Sequence, residues 1–170
     1  MALTTVLTTQ VVAELATARD LVTGSAPLSY RNRVSLASGT GAGQADLVFS
    51  DTRTISASGN DDLDLAGGLT DALGTTLTFV KIKALVVTAA AGNTNNVLVG
   101  GDATNTFLTW VVAEGDAVIL RPGASLALFA GVADATGYAV TASTGDLLRI
   151  TNSAGSTSVT YDIVIVGTSA

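Results

Sequence analysis

The 170 residues contain no cysteine and no histidine. Disulfides, zinc sites, thiol nucleophiles and every histidine-dependent triad are thereby excluded. Charge is scarce as well, at 13% Asp, Glu, Lys and Arg, about half the usual share. Eight basic residues stand against fourteen acidic ones, for a net charge of −6. A nucleic-acid binder needs clustered positive charge to displace counterions from phosphates, and this chain has none to cluster broadly. Long apolar runs are missing too. The longest, Ala84 to Ala91, is far short of the 18 or so residues that span a bilayer, and it leads into GNTNN. The start, MALTTVLTTQVVAEL, has no basic segment before its apolar residues and carries Glu14, unlike a secretory signal.

What is present is apolar and small. Hydrophobic residues make up 48% of the chain, mean hydropathy is +0.51, and glycine occurs 18 times. With no membrane span to absorb that composition, the expectation is a surface covered by other subunits. A chain of this length makes one domain the default, and folding should bury roughly 70% of its unfolded surface.

Residues 1–45 read differently from the rest. Thr8 or Thr9 can cap a short helix over about residues 10–22. Val11, Leu15, Ala18 and Val22 then share one face, with Arg19 and Asp20 off it. A Ser/Gly/Ala-rich stretch through Gln44 follows, read as linker or as an extended arm laid over another surface. From about Ala45 the text changes to short strands separated by Gly/Asn/Asp turns. These are 46–50, 75–88, 96–99, 106–112, 117–121, 125–130, 138–141, 147–152 and 159–166. Spacing of about ten residues predicts an all-β, antiparallel sandwich over 46–170, with the N-terminal helix-plus-extended arm outside it. Val80, Ile82, Ala84 and Val86 are expected on one face of their strand. Val159, Tyr161, Ile163 and Ile165 should be buried in a strand near the middle of its sheet. Leu63, Leu65 and Leu69 should fill an open end.

The search for chemistry returns little. Gly39-Thr40-Gly41-Ala42-Gly43 lacks the Lys-Ser/Thr of a phosphate-binding loop and reads as linker. Asp61, Asp62 and Asp64 form the densest acidic group, but without the spacing of a calcium loop they read as a solvated turn. Only Glu14 and Glu114 represent glutamate, and most aspartates occupy turn positions. The eight aromatics lie mostly in strands, and Trp110 reads as a core anchor. The expectation is no catalytic residue, no cofactor and no metal. The residues expected to bind a partner are Val11, Leu15 and Val22, docking by their apolar side chains, and Arg31 and Arg33, meeting an acidic surface.

With LDLAGGLTDALGTTLTFVKIKALVV, RPGASLALFA and the closing GYAVTASTGDLLRITNSAG and VTYDIVIVG, the chain resembles small β-rich virion structural proteins of tailed bacteriophages, often of the head decoration (cement) type. The resemblance covers residues 46–168. It implies a jelly-roll-like sandwich, a homo-oligomer, a place in the virion, and a major capsid protein or other virion subunit as partner. The other expectation is a tail or head-fibre module binding a host glycan or protein through loops 92–96 and 100–105.

Overall fold

In the computed structural model, which describes residues 2–101 and 103–170, every regular element is a strand. In chain order these are β1 (Thr5–Ala18), β2 (Thr23–Ser38), β3 (Gln44–Ala45), β4 (Leu47–Ile55), β5 (Asn60–Asp64), β6 (Leu69–Thr70), β7 (Thr76–Leu77), β8 (Lys81–Ala89), β9 (Val97–Gly100), β10 (Ala117–Leu120), β11 (Ser125–Phe129), β12 (Tyr138–Ala139), β13 (Leu147–Asn152) and β14 (Val159–Thr168). Two sheets carry the body of the molecule. One runs β4-β14-β8-β11, with β12 also beside β8; the other runs β5-β13-β9-β10. Every pairing within them is antiparallel.

Period-2 alternation builds the core. Along β14, Val159, Tyr161, Ile163 and Ile165 are at most 1% exposed, while Asp162 and Val164 face outward. The strand lies between β4 and β8, so its inward row meets Phe49 and Ile55 on one side and Leu85, Val87 and Ala89 on the other. Val97, Val99, Leu148 and Ile150 join the same core from the opposite sheet. Leu63, Leu65 and Leu69 are buried in it too. Burial of each such aliphatic side chain contributes roughly 1.5–3 kcal/mol, which makes this core the main stabilising element of the body.

Three sequence expectations need correction here. The strand expected over 75–88 is broken at 78–80, and its register shifts opposite the step from Val166 to Gly167. Ile82 consequently packs in the main core while Ala84 belongs to a second cluster on the outer face. A bulge of this kind reverses which face successive residues share. Second, 106–112 is not a strand, although Phe107 is buried. Asp116 accepts hydrogen bonds from the amides of Val112 and Ala113, and the Trp110 indole N–H donates to the Phe107 carbonyl, winding the segment into turns. Trp110 does pack against the main core. Third, the acidic segment read as a turn contains strand β5, paired along β13.

The helix expected over residues 10–22 is absent: those residues lie in β1 and in the loop joining it to β2. The two strands form a hairpin of fourteen paired positions, from Thr5 opposite Leu36 to Ala18 opposite Thr23. Threonine and valine at positions 5, 6, 8, 9, 11 and 12 favour a pleated backbone, where their branched side chains lose less freedom than in a helix. The stretch read as linker supplies the return strand. Pro27 lies opposite Glu14 in β1, on a stretch of β2 whose other edge has no partner strand, and proline is tolerated on such edge strands. The glycine run after β2 is a tight turn rather than a free linker, since Gly41 N–H donates to the Gln44 side chain and Ala37 N–H to the Gly43 carbonyl.

Candidate interaction surface

The register of the hairpin sorts its side chains, because directly paired residues share a face. One face carries Leu7 with Val34, Thr9 with Asn32, Val11 with Tyr30, Ala13 with Leu28, and Leu15 with Ala26. The other carries Thr8 with Arg33, Gln10 with Arg31, Val12 with Ser29, and Glu14 with Pro27. The arm is therefore amphipathic across its thickness: most of its large apolar side chains lie on one side, and both arginines lie on the other, which also carries Val6 and Val12.

Only the base of the apolar face is covered. Leu7, Val34 and Leu36 are buried in a cluster with Ala45, Ala84 and Val166, against which Phe129 packs. Ala84 and Val166 are paired neighbours on the outer face of the β4-β14-β8-β11 sheet. Beyond this anchor and the polar pair Thr9–Asn32, the same face is apolar and uncovered: Val11 is 49% exposed, Tyr30 54%, Leu28 55% and Leu15 78%. At 3.3 Å per residue, the eleven positions from Thr8 to Ala18 reach about 36 Å. A two-stranded ribbon with both faces wet is marginally stable by itself.

Of the residues expected to bind a partner, the structure brings together Val11 and Leu15 on the apolar face. Val22 is not on that stripe; it lies in the tip loop, where Arg19 N–H donates to its carbonyl, and it is exposed. Arg31 and Arg33 occupy the opposite face and are exposed. Tyr30 and Leu28, the largest contributors from the second strand, were not singled out from sequence. Pairing across the hairpin reveals them, since residues summing to 41 oppose one another.

The acidic group around β5 is already satisfied by protein partners. Arg53 donates to both oxygens of Asp61, and the Tyr161 hydroxyl donates to Asp61 Oδ2 at 2.7 Å. Burial acts to raise the Asp61 pKa, but the hydrogen bonds from Arg53 and Tyr161 and the Arg53 charge outweigh it and hold the carboxyl below its ordinary value. Tyr161 is pushed up, first by burial and then by its bond to Asp61. Arg149 grips Asp62 through two nitrogens, at 2.6 and 2.7 Å, and its hydrogen bonding lowers the Asp62 pKa. Asp64 accepts from Ala66 N–H. These carboxylates point to different partners, and no group of metal-ligating side chains is found among the described residues. A cleft of 430 Å³ beside Arg53 and Asp61 is lined by Thr52, Thr54, Ser56 and Asn60; its charged groups are committed to one another.

Loop 92–96, considered for ligand binding, is likewise spent on structure. Asn93 exchanges two hydrogen bonds with the backbone of Thr160, and Asn95 donates to Asn152 and to the Thr157 carbonyl. In loop 100–105, Asp102 lies outside the described residues, and the Asn105 carbonyl accepts from the amides of Asp146 and Leu147. Compared with family models, with curated proteins and with solved structures, the chain matches none.

Proposed function

We propose that this chain is a non-enzymatic structural subunit of a tailed-phage virion, a decoration or cement protein that reinforces the head by bridging subunits. The observation that carries the reading is the arm: a long amphipathic hairpin, anchored at its base and apolar along an uncovered face. An exposed apolar stripe of that length on a body with its own complete core is a contact surface in search of its cover.

The body supports the same reading. Numbered one to eight in chain order, β4, β5, β8, β9, β10, β11, β13 and β14 lie in the orders 1-8-3-6 and 2-7-4-5. Those orders support a jelly-roll reading with two Greek keys, an architecture used by viral capsid proteins, lectins and cupins. Cupin-type metal chemistry through histidine is excluded by composition. A lectin-like fibre module needs loop side chains free to meet a ligand, and the asparagines at 93 and 95 are occupied internally. Fold alone does not assign a function; the arm tips the choice toward assembly.

The test is quantitative mass spectrometry of purified particles from a phage whose genome encodes this chain. Copies comparable in number to the major capsid protein are expected, with Leu15→Asp reducing incorporation. A few copies per particle would favour the tail or fibre role, and absence from particles would overturn both.

A further inference from the structure

We infer that the uncovered apolar face of the arm docks on a second copy of this chain, against the outer face of its β4-β14-β8-β11 sheet, in a reciprocal exchange of arms. The inference rests on the arm being an assembly surface and adds the identity of its first partner.

Three observations select a second copy. The first is continuity. The base of the arm already packs on this sheet face, at Ala84, Val166 and Phe129. Next to that anchored row the register places Ala127, Val86 and Val164 side by side, also facing outward. Val164 is 37% exposed, and Val48, beside Val166 on β4, 39%. The receiving surface thus extends the chemistry that the arm's own base recognises, and every copy presents it. Farther along, the face turns to Ser125, Thr88 and Asp162, so the apolar strip is bounded and sets where a docked ribbon stops.

The second observation is area. Two strands about 4.8 Å apart make a ribbon roughly 10 Å wide, which over about 36 Å covers about 360 Å². A stable interface takes roughly 800 Å² from each partner. One arm on a foreign surface falls well short. In reciprocal exchange each copy gives one arm and receives another, which doubles the contact per copy; its apolar part is set by the row of Ala127, Val86 and Val164 together with Val48. Self-complementary contact of this kind is what a two-fold axis produces.

The third is charge. Residues 5–38 carry Arg19, Arg31 and Arg33 against Glu14 and Asp20, a net +1, and the remainder carries −7 of the chain's −6 total. Two bodies repel each other, and the arm is the segment that can approach a second body without that penalty. Arg31 and Arg33, on the arm's polar face, stay clear of the apolar contact and point away from the sheet it covers.

The absence of cysteine permits a direct test. The full-length Leu15→Cys and Val164→Cys variants are prepared separately, mixed, and treated with a short bis-maleimide. A mixed dimer can form only between copies, and it is expected in clear excess over the yield from Leu15→Cys with Ile119→Cys, which lies on the other sheet. In parallel, sedimentation equilibrium should find wild type as a dimer or larger closed oligomer. Leu15→Asp with Leu28→Asp should weaken association at least tenfold, whereas Ser25→Asp with Ser29→Asp on the opposite face should not; circular dichroism checks that both remain folded. A monomeric wild type, an oligomer indifferent to the Leu15/Leu28 pair, or equal cross-linking to Ile119→Cys would overturn the inference. If the monomeric protein still enters particles in an arm-dependent way, arm exchange is wrong while the assembly role stands.

Discussion

Replacing Asp61 by leucine should destabilise the protein, and removing the Tyr161 hydroxyl as well should restore part of the loss. Tyr161 is fully buried, and its hydroxyl donates to Asp61 Oδ2 at 2.7 Å. Arg53, which also binds Asp61, keeps a second carboxylate, Asp51, at 3.1 Å, and its side chain is 33% exposed. Loss of the Arg53–Asp61 attraction is therefore softened by solvent and by Asp51, at about 1 kcal/mol or less. The orphaned hydroxyl has no such relief, and a buried donor without an acceptor costs about 1–3 kcal/mol. The sum for Asp61→Leu is about 1–4 kcal/mol. Tyr161→Phe alone deletes one hydrogen bond to a charged acceptor, about 1.5–3 kcal/mol. In the Asp61→Leu background the same change removes the orphan, so it should be neutral or stabilising. Urea denaturation of the four proteins, followed by far-ultraviolet circular dichroism, closes the double-mutant cycle. Strict additivity, with the double variant less stable than Asp61→Leu by the full Tyr161→Phe cost, would refute the reasoning. The pH dependence supplies a second check. Because the folded carboxyl titrates below its ordinary value, its stabilisation is complete above the unfolded pKa of about 3.9 and is lost as pH falls through the folded value. The gap between wild type and Asp61→Asn should accordingly shrink below about pH 4.

Asn152→Ala should cost about 2–4 kcal/mol, because it strips donors from the carbonyls of Ser56 and Thr157 and an acceptor from Asn95, all around a side chain 3% exposed; a thermal midpoint within 2 °C of wild type would contradict this. Gly100→Ala should destabilise by more than the backbone preference of about 1 kcal/mol, since Gly100 has φ of +100° and an added Cβ would meet the Asp116 carbonyl at 2.5 Å; chemical denaturation measures it. Lys83→Met should be neutral or stabilising near pH 7. Its side chain is 1% exposed, burial pushes the ammonium's pKa down, and it donates to the Asp134 carbonyl at 2.7 Å on an exposed loop that water can serve; a loss above about 2 kcal/mol would show that this contact holds the 131–137 loop.

Several features were legible along the chain itself. Alternation over 159–166 located a central strand and its buried row, because an antiparallel strand with one face in the core must place its apolar residues two apart. The lack of histidine and cysteine removed whole classes of chemistry without reference to shape. The N-terminal segment was not legible in the same way. Val11 and Leu15 are four residues apart, a spacing that puts two side chains on one face of a helix and equally on one face of a strand. Local pattern leaves that ambiguity standing. Pairing resolved it: only when β2 lies against β1 do Tyr30 and Leu28 come beside Val11 and Ala13, and only then does an apolar patch spanning both strands exist. The Asp61–Arg53–Tyr161 network has the same origin, with Tyr161 one hundred positions from its acceptor. Periodicity is a property of neighbours in sequence and so chooses which side of an element is apolar; which elements meet, and which apolar face is left uncovered, depends on contacts between residues far apart in the chain, and these the tertiary structure alone decided.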